Sequence, residues 1–233
     1  PKTARILDLG CGTGDLLALL YQSGFHHLTG VDQVPEMIES TGTLLGSHHP
    51  VRLHVCELEE YLEETLTSMV RYDVITLQAV IHLFPIMKVL PLMKKVLEMS
   101  RGRVYLTTPV YDESWEGMEK KPGTEIARFK HHYTRDEMST LLRLIQAETG
   151  VLYQQFYETS PDGREWFVIL FERPKEMEYL IRGFRKLEET LTADQLKKLR
   201  QVAEQGRHQK PDHEKGEDDE LERASIGFSP EIQ

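Results

Sequence analysis

The stretch "ARILDLGCGTGDLLALL", residues 4–20, decides the fold. An apolar run, ARILDL (4–9), meets a helical pattern, GDLLALLYQSG (14–24), across Gly10, Gly12 and Gly14. A glycine inside regular structure costs roughly 0.5–1 kcal/mol relative to alanine, so three so close together need a reason. Either the backbone takes positive φ there, or another molecule lies against the main chain. The first strand-to-helix turn of an open parallel sheet meets both conditions, because ligands bind beyond the carboxyl ends of the strands.

Outward from this turn the signals alternate. HLTGVD (27–32) reads as a second strand, and VPEMIESTGTLLG (34–46) as a helix opening on Pro35. VRLHVCE (51–57) is a third strand, followed by a short acidic helix, EEYLEETLTSM (59–69). YDVITLQAV (72–80) is a fourth strand whose unbroken apolar run fits burial on both faces. PIMKVLPLMKKVLEMS (85–100) is amphipathic, and GRVYLTTP (102–109) is a fifth strand stopped by proline. TRDEMSTLLRLIQAETG (134–150) begins with a capping pair, Thr134 and Glu137, and ends on glycine. VLYQQFYET (151–159) and EWFVILFER (165–173) flank the turn-rich SPDG and predict a hairpin. The expected fold is therefore α/β: a doubly wound, mostly parallel sheet of seven strands closing on an antiparallel hairpin, with a C-terminal helical extension.

Two regions break the pattern. Residues 110–130 are polar and irregular, so 110–133 is expected to be a lid or substrate loop on the 1–174 domain. Residues 175–205 read as a charged helical extension, and 206–233, acidic and low in apolar residues, as a disordered tail. The chain opens almost directly on a strand, which raises the expectation of a preceding segment.

With 233 residues and 39% hydrophobic content the chain can bury one substantial core. Lys plus Arg number 28 and Asp plus Glu 38, a net charge of −10. That balance disfavours a nucleic-acid partner without ruling it out, because phosphate neutralisation needs clustered cations. Cys11 and Cys56 lack metal-ligand spacing and read as free thiols of a reducing compartment, which makes the expected location cytoplasmic. No apolar run approaches the ~20 residues of a membrane span, and no signal peptide is visible.

Asp32 closes the second strand 18 residues after Gly14, where a carboxylate can accept hydrogen bonds from ribose hydroxyls. Glycine turn and carboxylate together suggest an adenosine-bearing ligand. The spacing Gly10-x-Gly12-x-Gly14 differs from the dinucleotide pattern Gly-x-Gly-x-x-Gly. DLGCGTG (8–14) instead resembles the first motif of class I S-adenosylmethionine-dependent methyltransferases, Asp/Glu-x-Gly-x-Gly-x-Gly, at every fixed position. GVDQVPEMIE (30–39) is similar to that family's second motif and DVITLQAVIHLF (73–84) to its fourth-strand motif, so the resemblance runs from residue 4 to about 173. It implies a Rossmann-like sheet ending in a reversed strand, with S-adenosyl-L-methionine as cofactor. It also implies roles. Asp8 would order the turn and face the methionine amino end. Gly10, Cys11, Gly12 and Gly14 would pack under the cofactor, and Asp32 would hold the ribose. Gln33 would edge the adenine. Glu57 stands where the family often has an aspartate that contacts the adenine amine, and Gln78 would lie near the methionine carboxylate or the sulfonium.

Such a cofactor brings its own activated methyl group, leaving the protein to align the acceptor, exclude water and take away a proton. Histidine suits the last task at neutral pH. The candidates are His82, after the fourth strand, and His131, His132 and the adjacent Tyr133, before the capped helix. The metal-dependent 2′-O-methyltransferases of small-RNA ends, which the sequence resembles locally, carry Glu-x-x-Glu-His after strand four. Here that stretch is Gln78-Ala79-Val80-Ile81-His82, without either carboxylate a hard divalent ion would want, so no metal is expected. Tyr111, Trp115, Lys120, Lys121, Arg128 and Phe129 are placed to cover an acceptor. The expected activity is methyl transfer to oxygen or nitrogen of a small-molecule acceptor. The alternatives are an RNA methyltransferase and a non-catalytic module of the same fold. A protein partner or self-association through the C-terminal helices stays open.

Overall fold

The computed structural model describes residues 2–120 and 127–172, and the 175–205 extension and 206–233 tail lie outside the described residues. Strands and helices alternate as β1 (Arg5–Leu9), α1 (Asp15–Gln22), β2 (His27–Asp32), α2 (Pro35–Leu45), β3 (Arg52–Val55), α3 (Leu58–Thr67) and β4 (Tyr72–Gln78). A single 3-10 turn (Ile81–Leu83) leads into α4 (Ile86–Met99) and β5 (Ser100–Pro109). Then come β6 (Trp115–Lys120), β7 (Ala127–His132), α5 (Arg135–Thr149), β8 (Leu152–Thr159) and β9 (Glu165–Glu172).

Seven strands form one sheet in the order β3-β2-β1-β4-β5-β9-β8. The first five are mutually parallel; β9 runs antiparallel to both β5 and β8. Crossing from β1 outward to β2 on one side and β4 on the other places a switch of strand order at β1, so its carboxyl end opens into a crevice. The register puts Asp8 beside Gly30 on β2 and Thr76 on β4.

Both faces of the sheet are covered, which explains the unbroken apolar strands. One core joins Leu7, Leu9, Ile75 and Leu77 to Leu62 of α3, Val89 and Met93 of α4 and Leu142 of α5. The other joins Ile6 and Leu28 to Leu17 and Ala18 of α1 and Leu45 of α2. Local signals set the helix ends. Pro35 starts α2, and Thr134 and Glu137 form a reciprocal capping box on α5, which stops at Gly150 in the left-handed region (φ 68°).

The expectation of an irregular loop over 110–130 is corrected. Residues Trp115–Lys120 and Ala127–His132 pair as a separate antiparallel ribbon, with Trp115 opposite His132 and Glu116 opposite His131. The ribbon lies outside the main sheet and buries little, so its strands lack the apolar alternation that would have marked them. Charge pairs between its strands, Glu116 with His131 and Glu119 with Lys130, stand in for that alternation.

Candidate cofactor-binding site

The glycine turn folds back on β2: the Gly10 and Cys11 amides both donate to the Val31 carbonyl, at 2.8 and 3.0 Å. Asp32 then ties two turns together, its Oδ2 accepting from the Gly12 amide and its Oδ1 from the Val34 amide, each at 2.9 Å. A carboxylate offers about four acceptor positions, so after these two bonds Asp32 can still accept from a pair of hydroxyls in the cavity that it lines. The Thr41 hydroxyl, from α2, braces the turn from behind at 2.9 Å from the Gly12 carbonyl.

The glycines divide by what a side chain would meet. At Gly14 (φ +81°) a Cβ would fall 2.3 Å from Thr41 Cγ2. At Gly12 (φ +54°) it would meet nothing within 4 Å and would stand in the cavity. Gly14 thus serves packing within the protein, whereas Gly12 keeps a surface bare for something to lie against.

Asp8 sits behind the turn, 3% exposed, accepting from Thr76 Oγ1 at 2.6 Å. Burial pushes its carboxyl up to about 6; the Thr76 bond opposes this and the Asp32 charge adds to it. Burial, with the Asp8 and Asp32 charges, pushes the Cys11 thiol up to about 12, so Cys11 is packing and not a nucleophile.

A cavity of about 540 Å³ opens at the carboxyl ends of β1 to β4. Its floor is Gly10 and Gly12; Asp32, Gln33 and Glu57 follow from the next two strand ends, and Val80, Leu83 and Phe84 from the segment after β4. Ala127, Arg128 and Phe129 of the ribbon close one side. With the Gln33 amide turned so that its nitrogen faces Glu57, it donates to both carboxylate oxygens at 3.1 and 2.7 Å, fixing that carboxylate at the cavity edge.

The structure thus gathers Gly10, Gly12, Asp32, Gln33 and Glu57 around one cavity, with Asp8, Cys11 and Gly14 behind its floor. Gln78 is exposed at the end of β4, off the cavity wall. The four proton-transfer candidates cluster elsewhere, at the base of the ribbon. His82 is 8% exposed, its Nδ1 has no partner, and burial, with Lys130 and His132, lowers its pKa to about 4. His131 is buried with Nδ1 2.9 Å from Glu116 Oε2 and Nε2 3.7 Å from Glu137 Oε1. His132 is half-buried and stacked on Tyr111 at 3.8 Å and 5° between planes; burial, with Lys130 and His131 against Glu119, lowers its pKa. Tyr133 is wholly buried, and burial raises its phenol pKa above the usual range, with the Glu116 and Glu137 charges adding.

Sequence reasoning missed the supports: Thr76 under Asp8, Thr41 under the turn, and Glu116, whose Oε2 also accepts from the Ile86 amide at 2.9 Å. Their partners lie 68, 29 and 30 residues away, a distance no local pattern reveals. Among the described residues no group of three His, Cys, Asp or Glu is placed to hold a metal ion, and no helix is long and apolar enough to cross a membrane.

A doubly wound sheet with a glycine turn at its switch point and a carboxylate at the end of the second strand defines the class I, Rossmann-like nucleotide-cofactor proteins. The chain matches the methyltransferase domain family (Methyltransf_31) over residues 2–149 and belongs to it. No curated protein sequence matches the chain. Several solved structures share the fold. The methyltransferase domain of bacterial CtHen1-CN is 21% identical with a TM-score of 0.54, over 73% of this chain and 91% of that one. A Methanosarcina mazei S-adenosylmethionine-dependent methyltransferase gives 17% and 0.56, over 75% and 95%. The Burkholderia thailandensis 1,6-didemethyltoxoflavin-N1-methyltransferase, bound to 1,6-didemethyltoxoflavin and S-adenosylhomocysteine, gives 20% and 0.57, over 74% and 72%. The family's cofactor is S-adenosylmethionine. The residues present fit it: bare backbone at Gly12, two spare acceptor positions on Asp32, and apolar lining from Val80 and Leu83.

Proposed function

We propose that the chain transfers a methyl group from S-adenosylmethionine to oxygen or nitrogen of a small-molecule acceptor. The observation that carries this reading is the cavity itself, with Gly12 bare and Asp32 held in place by two amides at 2.9 Å. The cofactor, when bound, supplies a methyl group already activated on a sulfonium. The residues of this chain do the rest. Asp32 holds the ribose hydroxyls, Gln33 and Glu57 edge the adenine, and Asp8 offers charge to the methionine amino end. Gln78, exposed at the end of β4 and off the cavity wall, takes no part. The acceptor's lone pair forms the new bond to the methyl carbon, the S–C bond breaks with its pair returning to sulfur, and the acceptor's proton leaves. Of the four candidate side chains His132 is the best placed to receive that proton, because it is half-buried and neutral near pH 7. His82 and His131 are buried, and the Tyr133 phenol, wholly buried, resists ionisation; these three pack at the base of the ribbon.

The net charge of −10 favours a small acceptor over RNA. The toxoflavin-precursor enzyme of the same fold, crystallised with a small heterocycle, supports the same reading. Incubation with methyl-labelled S-adenosylmethionine and, separately, a panel of small hydroxyl and amine compounds or total RNA tests it. Label is expected in small molecules and lost with Asp32→Ala. Label in RNA would overturn the small-acceptor reading. No label from a protein that binds S-adenosylhomocysteine would favour the non-catalytic module.

A further inference from the structure

The base of the ribbon carries a group of rings that the cofactor cavity does not use. Tyr111 and His132 stack in parallel at 3.8 Å, and Trp115, opposite His132 in the ribbon, tilts against it at 5.1 Å. Trp115 is 41% exposed, a large ring left in solvent on the ribbon, where Met118 is exposed as well. Its position is built. A Cβ on Gly117 would fall 2.9 Å from Trp115 Cζ2, so the indole lies along the strand over the residue that has no side chain.

The platform adjoins the cofactor cavity through two elements. The strand that carries His132 begins at Ala127–Phe129, in the cavity wall. Three residues of strand from Phe129 to His132 span about 10 Å. The 3-10 turn that packs against β7 supplies Leu83 to the cavity and His82 to the platform side, where Lys130, His132 and Glu119 are the charges that act on it. His82 Nδ1 is a buried polar atom without a partner. A buried nitrogen without a partner carries a desolvation cost that a ligand's hydrogen-bonding group would remove.

We propose that the Trp115–His132–Tyr111 platform is the acceptor subsite and that it takes a planar aromatic or heteroaromatic ring bearing a hydroxyl or N–H. The inference rests on the methyltransferase reading above and narrows its acceptor. The ring stacks on the open indole face of Trp115, as aromatic pairs do at centroid distances of roughly 4.5–7 Å. His132 then lies at the ring edge, where it takes the acceptor's proton as the new bond to the methyl carbon forms. His82 Nδ1 gains a polar partner. A saturated ring of the same outline presents no π-face and loses the stacking contact. A nucleobase in single-stranded RNA offers the same π-face, so the experiment separates the two sources.

The test uses the full chain with Trp166→Phe, which leaves Trp115 as its one indole, since the sequence has 2 tryptophans. S-adenosylhomocysteine affinity is measured first, and its absence would count against the methyltransferase reading and not against the platform. With that ligand bound, indole emission is followed during titration with catechol and hydroxyquinoline, with cyclohexane-1,2-diol, and with a single-stranded oligoribonucleotide. The proposal expects quenching by the aromatic compounds and none by the saturated diol. Methyl transfer to whichever aromatic compound is turned over should show KM raised at least tenfold by Trp115→Ala. It should recover to within about threefold with Trp115→Phe, because phenylalanine keeps the stack, and S-adenosylhomocysteine affinity should not change. Quenching by the oligonucleotide alone would overturn the small-ring assignment. Equal responses to catechol and the saturated diol, or an unchanged KM in Trp115→Ala, would overturn the platform.

Discussion

At the scale of single residues, the glycines of the first turn answer the question the sequence raises, and they do so differently. Gly14→Ala would drive a methyl group to 2.3 Å from Thr41 and break the brace on the turn, so lost stability is expected, on the order of 1–3 kcal/mol. Gly12→Ala meets no protein atom. Its φ of +54° makes alanine cost roughly 1 kcal/mol of stability, but the protein should fold and bind S-adenosylhomocysteine at least tenfold more weakly. Thermal melts and a binding titration on the two variants separate these outcomes; a Gly12→Ala protein with undiminished affinity would show that no ligand lies there. Asp8 adds a pH dependence. Its carboxyl is raised in the folded protein to about 6 from an ordinary value of 3.8. The folded state therefore holds the proton more tightly. The penalty for ionising Asp8 is absent below pH 3.8, grows through the window to 6 and is complete above it. Asp8→Asn should raise stability near neutral pH, by an amount on the order of 3 kcal/mol, while weakening the cofactor. S-adenosylmethionine affinity of the unaltered protein should fall as pH drops below 6, since the protonated acid offers no charge to the methionine ammonium. A flat affinity between pH 5 and 7.5 would contradict that role. The motif residues were legible because their spacing is local. Thr76 and Thr41 were not, because pairing of β1 with β4 and packing of α2 bring them in from elsewhere in the chain.

Among the elements, the β6–β7 ribbon is the one the sequence concealed. Strand signals depend on apolar alternation against a core, and this ribbon is held by charge and rings. Glu116 is its anchor: one oxygen faces His131 Nδ1 and the Ile86 amide, both at 2.9 Å, joining β6, β7 and the start of α4. Glu116→Ala would leave a buried imidazole and an amide without their acceptor, a cost of about 1–3 kcal/mol. Amide hydrogen exchange across 115–120 and 127–132 should quicken while β4 and β5 stay protected. Glu116→Gln, which keeps an acceptor oxygen, should lie between the two. Unchanged exchange in Glu116→Ala would show that the ribbon is held by other contacts. The helices were far easier to read. Pro35 and the Thr134–Glu137 box mark their own helix starts, and Gly150 marks a stop.

Across the whole molecule, the alternation of apolar strands and amphipathic helices was enough to give sheet, layers and the reversed final pair, because a parallel sheet must be covered on both faces. The switch in strand order at β1 then fixes where a ligand can enter. Leu77, fully buried between β4 and the helices of the larger core, tests that arrangement: Leu77→Ala should cost about 2–5 kcal/mol and lower the melting midpoint without altering cofactor affinity once folded. The sequence singles out Tyr111, Trp115 and His132 one by one but not their stacking, since these rings come together only when β6 and β7 pair. The central claim is that Asp32 and the bare backbone of Gly12 hold S-adenosylmethionine. Calorimetric titration of S-adenosylhomocysteine into the parent protein and Asp32→Ala tests it most directly. Loss of the charged hydrogen bonds at about 1.5–3 kcal/mol predicts micromolar binding by the parent and an affinity roughly 10- to 100-fold lower in the variant. No heat of binding from the folded parent, or equal affinity in both proteins, would contradict it.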